Sequence, residues 1–128
     1  MRNVVIWVIL LVVVLLVGFV PEYLKARRAG EELSSCLAKA ELEEVRRSAA
    51  LTYVAATQLN YGVAAGYAQS FFAEVQKLQG ATSDAALRDL LTQTLASRDK
   101  VTADLAKGSP EVVGELQPLV MKLEQAGQ

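Results

Sequence analysis

From Val4 to Val20 the chain reads VVIWVILLVVVLLVGFV, seventeen consecutive residues with no charge, hydroxyl or side-chain amide. As an α-helix this run is about 26 Å long, close to the roughly 30 Å hydrocarbon core of a bilayer. It is apolar on every face, whereas a helix at the surface of a water-soluble domain keeps a polar side. Its many β-branched residues favour strands in water, but lipid demands that the backbone satisfy its own hydrogen bonds, which a single segment does only as a helix. The pattern predicts a single N-terminal transmembrane helix with short flanks, residues 1–24. A cleaved signal peptide is the alternative, but its apolar region is usually about 7–15 residues and ends in small residues. Here Gly18-Phe19-Val20 runs straight into Pro21. Trp7 and Tyr23 stand near the two ends, where amphipathic rings sit, and Lys25, Arg27 and Arg28 follow within reach of lipid phosphates. Pro21 lacks an N–H and is expected to kink the helix or restart it.

Beyond the anchor the period changes to that of amphipathic helices, and no strand pattern occurs. Leu33, Leu37, Leu42, Val45, Ala49, Thr52, Ala56 and Leu59 recur at spacings of three to five, predicting one long helix over about 25–59 with those residues on its packed face. Asn60-Tyr61-Gly62 is a turn signal. Ala64, Tyr67/Ala68, Phe71, Val75 and Leu78 trace a second helix over about 62–79, ending at Gly80. A short turn between two such helices folds them into a hairpin. Thr82, Ser83 and Asp84 are cap-type residues opening a third helix, 84–107, with Leu87, Leu90, Leu91, Leu95, Val101 and Leu105 inward. Gly108 stops it, and Ser109-Pro110-Glu111 starts a fourth, 110–125, with Val113, Leu116, Val120 and Leu123 inward and a kink at Pro118. Glu43 with Arg47, and Asp84 with Arg88, are expected as exposed i,i+4 ion pairs. The predicted fold class is all-α: an N-terminal transmembrane helix followed by a small helical-hairpin domain of about four helices, residues 25–128.

Composition narrows the functional classes. The 128 residues carry 13 basic and 14 acidic side chains, so the chain offers nucleic acid no basic surface. No histidine is present, which removes the commonest general base and metal ligand. A single cysteine, Cys36, allows no intramolecular disulfide. Leu33-Ser34-Ser35-Cys36 has the residue types of a lipoprotein box, but KARRAGEE separates it from the apolar run it would have to abut. Glu41, Glu43 and Glu44 form an acidic cluster. On a helix Glu41 and Glu44 share a face while Glu43 points elsewhere, which suits a solvated surface better than a metal site. No phosphate loop, zinc spacing or nucleophile elbow is present. No catalytic, cofactor-binding or metal-binding residue is therefore expected.

The aromatic group Tyr53, Tyr61, Tyr67, Phe71 and Phe72 reads first as the core of the hairpin. Neighbouring phenylalanines are not expected to point fully inward together on one helix. Phe71 or Phe72, with Tyr67, is thus a candidate anchor for a partner helix. The stretch 50–75 also resembles a tetratricopeptide-type helical hairpin: Tyr61, Ala64, Ala68 and Phe71 stand at similar offsets, and Leu51 would supply the first-helix contact. That resemblance implies a scaffold that binds a partner.

Two functional readings follow. The first is a non-enzymatic, single-pass membrane protein whose helical domain binds another membrane or membrane-associated protein, as a scaffold or accessory subunit. The second is a self-associating coiled-coil anchor, with Leu42, Val45, Ala49, Thr52, Ala56 and Leu59 as its seam and a homo-oligomer as its product. Arg2 precedes the apolar run and Lys25, Arg27 and Arg28 follow it, an asymmetry that puts the helical domain in the cytoplasm; the exported side is the alternative.

Overall fold

The computed structural model describes all residues from 1 to 128 and contains five α-helices and no strand. The helices are α1 (Arg2–Thr57), α2 (Tyr61–Ala81), α3 (Ala85–Ala96), α4 (Arg98–Lys107) and α5 (Glu111–Gln125). Two compact units divide the chain, Met1–Leu37 and Ala38–Gln128. The boundary lies thirteen residues beyond the predicted end of the anchor region at residue 24.

The first unit is a single stretch of α1. Pro21 lies inside the helix and does not end it, so of the expected kink or restart the restart does not occur, and the long helix is continuous with the anchor. Its missing N–H leaves the carbonyl of Val17 without the usual donor four residues on. Leu33 and Leu37 also depart from expectation: they are 62% and 57% exposed rather than packed.

The second unit is a helical bundle built around α2. Its core takes Leu42, Val45, Ala49, Thr52 and Ala56 from α1, then Ala64, Ala68, Phe71, Val75 and Leu78 from α2. Both sets repeat every three or four residues, which puts each on one helical face. The two helices run antiparallel. Ser48 Oγ donates to Glu74 Oε2 at 2.7 Å, and Lys77 Nζ pairs with Glu41 Oε1 at 3.1 Å, so residues nearer the turn on one helix meet residues nearer the turn on the other.

Backbone chemistry explains the turn. The N–H of Asn60 donates to Ala55 O (2.9 Å) and that of Leu59 to Ala56 O (3.1 Å), the paired bonds of a Schellman C-cap. The motif needs a left-handed residue, and Leu59 takes it at φ 60°. This explains why Leu59 is 68% exposed instead of on the packed face. Asn60 then caps α2, accepting from the N–H of Val63. Gly108 closes α4 by the same device, with φ 65° and bonds from Gly108 N to Leu105 O and from Ser109 N to Asp104 O.

The expected helix over 84–107 is divided at Ser97. Asp84 opens α3 by accepting from the N–H groups of Ala86 and Leu87, and the N–H of Ser97 bonds Thr94 O, a tightened i→i+3 turn. α3 and α4 both pack on α2. Of the residues expected inward on α5, Leu116 and Leu123 are buried, whereas Val112 and Leu119 take the places expected of Val113 and Val120, which flank them half-buried.

The pairing of charges differs too. Glu43 bonds Arg46, not Arg47. Arg88 donates to Thr82 O while Asp84 serves as the cap of α3, so these two do not form the expected surface pair.

Candidate functional site

In the first unit every large apolar side chain from Val4 to Val20 is between 47% and 75% exposed, and no part of this stretch is covered by protein. One helix of the molecule, α1, is long and apolar enough to cross a membrane, and it lies near the N-terminus. Trp7 and Tyr23 are 74% and 60% exposed. Sixteen residues separate them, about 24 Å of helix, which fits rings placed at the two faces of an apolar layer. The guanidinium carbon of Arg27 stands 5.8 Å from the centre of the Tyr23 ring, one turn away. Lys25 and Arg28, three residues apart, are exposed on one face of the same helix. The three basic residues thus cluster within about one turn, on roughly half of the helix circumference. A basic cluster at the end of an apolar helix is placed to meet anionic headgroups.

In the second unit the aromatic residues sort differently from the sequence expectation. Phe71 and Phe72 are both buried, at 0% and 1% exposure, with ring centroids 4.8 Å apart and planes tilted by 51°. Neither is available as an outward anchor. The reason is that α2 has neighbours on more than one side: α1 bonds it through Ser48 and Glu41, while α3 and α4 pack on it as well. A central helix has more than one inward face, so adjacent positions can both be inside. Tyr67 is the one member of the trio that reaches solvent, at 38% exposure. Leu51, expected as a packing contact for the hairpin, is instead 37% exposed.

Tyr67 has apolar company. Leu51, Val54, Leu59 and Val63 are also substantially exposed, and all belong to the turn end of the α1–α2 hairpin. The antiparallel register sets Tyr67 opposite the 51–55 segment of α1. Scattered exposed leucines are ordinary, but several at one end of a hairpin form a surface that another protein can cover.

The seam suggested for a coiled coil is occupied within the bundle: Leu42, Val45, Ala49, Thr52 and Ala56 are all buried there. Glu41, Glu43 and Glu44 do not converge. Glu41 pairs with Lys77 and Glu43 with Arg46, while Glu44 faces solvent. No group of three or more His, Cys, Asp or Glu side chains is arranged to hold a metal ion. Cys36 is free and exposed.

Sequence reasoning missed Arg46. Its Nε donates to Leu123 O at 2.8 Å, one terminal nitrogen reaches the carbonyls of Glu124 and Ala126, and the other pairs with Glu43. These carbonyls lie at the C-terminal end of α5, where the last turn is short of backbone donors and favours a cation; Leu123 O also accepts from the N–H of Ala126 at 3.3 Å. A pairing across 77 residues leaves no local signal in the sequence.

No protein-family model, curated protein or solved structure matches the chain.

Proposed function

We propose that the protein is a single-pass membrane protein in which Val4–Val20 spans the bilayer and the helical bundle binds another protein, as a non-catalytic scaffold or accessory subunit. The observation that carries this reading is the exposure of an unbroken apolar helix flanked by Trp7, Tyr23 and the Lys25/Arg27/Arg28 cluster. In water that surface would be prohibitively unfavourable, since burying apolar area is worth about 25 cal/mol per Å². In lipid it needs no cover. The excess of Lys and Arg after the span supports a bundle on the cytoplasmic side. The partner is another membrane or membrane-associated protein, and it docks on the turn end of the α1–α2 hairpin, where Tyr67 stands among Leu51, Val54 and Val63. A tetratricopeptide-like role for residues 50–75 belongs to the same proposal and is supported by the burial of Ala64, Ala68 and Phe71 between paired helices.

The test uses a photo-crosslinking residue at Tyr67 or Val63 in the full-length protein in its native membrane, with Glu44 as the control position. A discrete heterologous adduct at Tyr67 and Val63 and none at Glu44 supports the reading. Equal labelling at all three positions overturns the docking surface.

A further inference from the structure

We infer that residues 22–37 of α1 form a parallel, two-stranded seam with a second copy of this chain, just outside the membrane. This inference rests on the membrane-spanning reading above. Between Tyr23 and Leu37 the residues Tyr23, Ala26, Gly30, Leu33 and Leu37 follow one another at spacings of three, four, three and four. That is the alternation of the inward positions of a heptad repeat. All five are exposed, and Leu33 and Leu37 are the only large apolar side chains after Leu24 in this unit. Gly30 has nothing within 4 Å of where a Cβ would stand, which leaves its surface open to close approach.

Lipid cannot cover the far end of the stripe. Leu33 lies thirteen residues past Val20, about 20 Å along the helix, whereas the headgroup layer is only about 5–8 Å thick on each side. A second copy suits it for two reasons. Chains anchored in one bilayer with one topology are parallel by necessity, and the tether raises their local concentration enough for a short seam to hold. The flanking charges also match in that orientation. A parallel pair brings the residue before one inward position next to the residue five further on in its partner. Here that sets Glu22 of one copy beside Arg27 of the second copy, twice by symmetry. Arg27 already leans over the Tyr23 ring, so its guanidinium is held on the seam side of the helix. This seam is separate from the face of Leu42, Val45, Ala49, Thr52 and Ala56, which the bundle occupies.

Single cysteines placed in the full-length Cys36→Ser protein test the inference in phospholipid vesicles at high lipid dilution, with copper phenanthroline as oxidant. Leu33→Cys and Leu37→Cys are expected to give several-fold more disulfide dimer than Glu32→Cys or Ser35→Cys, which lie off the stripe. Glu22→Arg should reduce the Leu33→Cys dimer, and adding Arg27→Glu should restore it. Flotation of the same vesicles separates the two ideas. Protein that floats but cross-links equally at all four positions, or at none, overturns the seam while leaving the anchor intact. Protein that does not float overturns the anchor, and the seam with it.

Discussion

Arg46 donates from Nε to the main-chain oxygen of Leu123 at 2.8 Å, so a side chain early in the bundle caps the helix that ends it. Arg46 also bonds the carbonyls of Glu124 and Ala126, and only 15% of its side chain is exposed. Hydrogen bonds from a charged group are worth about 1.5–3 kcal/mol each when a buried partner would be left unmet. Arg46→Ala is expected to lower the stability of the bundle by about 2 kcal/mol in urea unfolding. Arg46→Lys should recover only part of that loss, because an ammonium cannot reproduce the planar fork that serves several carbonyls at once.

Leu59 holds a left-handed backbone that its side chain disfavours by about 1–2 kcal/mol. It gains little packing in return, being 68% exposed. Leu59→Gly should therefore raise the midpoint of thermal unfolding, with a net gain of about 0.5–1 kcal/mol after the larger chain entropy of glycine is counted. Gly108→Ala should do the opposite. Its φ is 65°, and an added Cβ would stand 3.4 Å from the Tyr61 ring. Circular dichroism melts of the two variants check both signs.

Phe72→Ala and Tyr67→Ala are expected to separate folding from binding. Phe72 is fully enclosed, and emptying such a site costs about 3–5 kcal/mol, a large part of the stability of a small domain. Tyr67 is partly exposed, so its truncation should leave unfolding nearly unchanged while removing any cross-link to a partner at the hairpin turn. Equal loss of stability in both variants would contradict this division.

Glu115 pairs with Lys100, which also contacts Asp104 at 3.1 Å. One carboxylate oxygen of Glu115, Oε2, is buried without a hydrogen-bond partner. The pair is solvent-facing at the lysine end, where such contacts contribute at most about 1 kcal/mol. Lys100→Ala should destabilise the bundle by less than about 1 kcal/mol, an effect that shrinks in high salt. Glu115→Met should be neutral or stabilising, since it removes the unmet oxygen and keeps a side chain of similar length. Urea titrations at low and high ionic strength measure both.

The all-helical class and the apolar N-terminal run were legible because they rest on local physics: period, length and the absence of polar groups. Asn60 and Gly108 act through the chemistry of their own side chains, or lack of one, and such roles can be read from one residue. What escaped depends on the third dimension. No residue near Ser97 is a breaker, and the division between α3 and α4 accompanies the packing of both on α2. The joint burial of Phe71 and Phe72 requires knowing that α2 is central, and the capping role of Arg46 requires knowing which helix end lies opposite. On α5 the burial of Leu116 and Leu123 was legible from the period, whereas Val112 and Val113 are chemically equivalent. Only the neighbours of the helix choose between them. Of the proposed surface residues, Tyr67 could be singled out as an amphipathic aromatic, but the exposure of Leu51, Val54 and Val63 has no signature that separates it from core.

Alkaline carbonate extraction of membranes containing the full-length protein, with mass analysis of what remains in the pellet, decides whether Val4–Val20 is held in the bilayer. The polypeptide is expected to stay with the lipid and still carry Val4–Val20. Release into the supernatant, or a mature chain that begins after Pro21, would contradict that expectation.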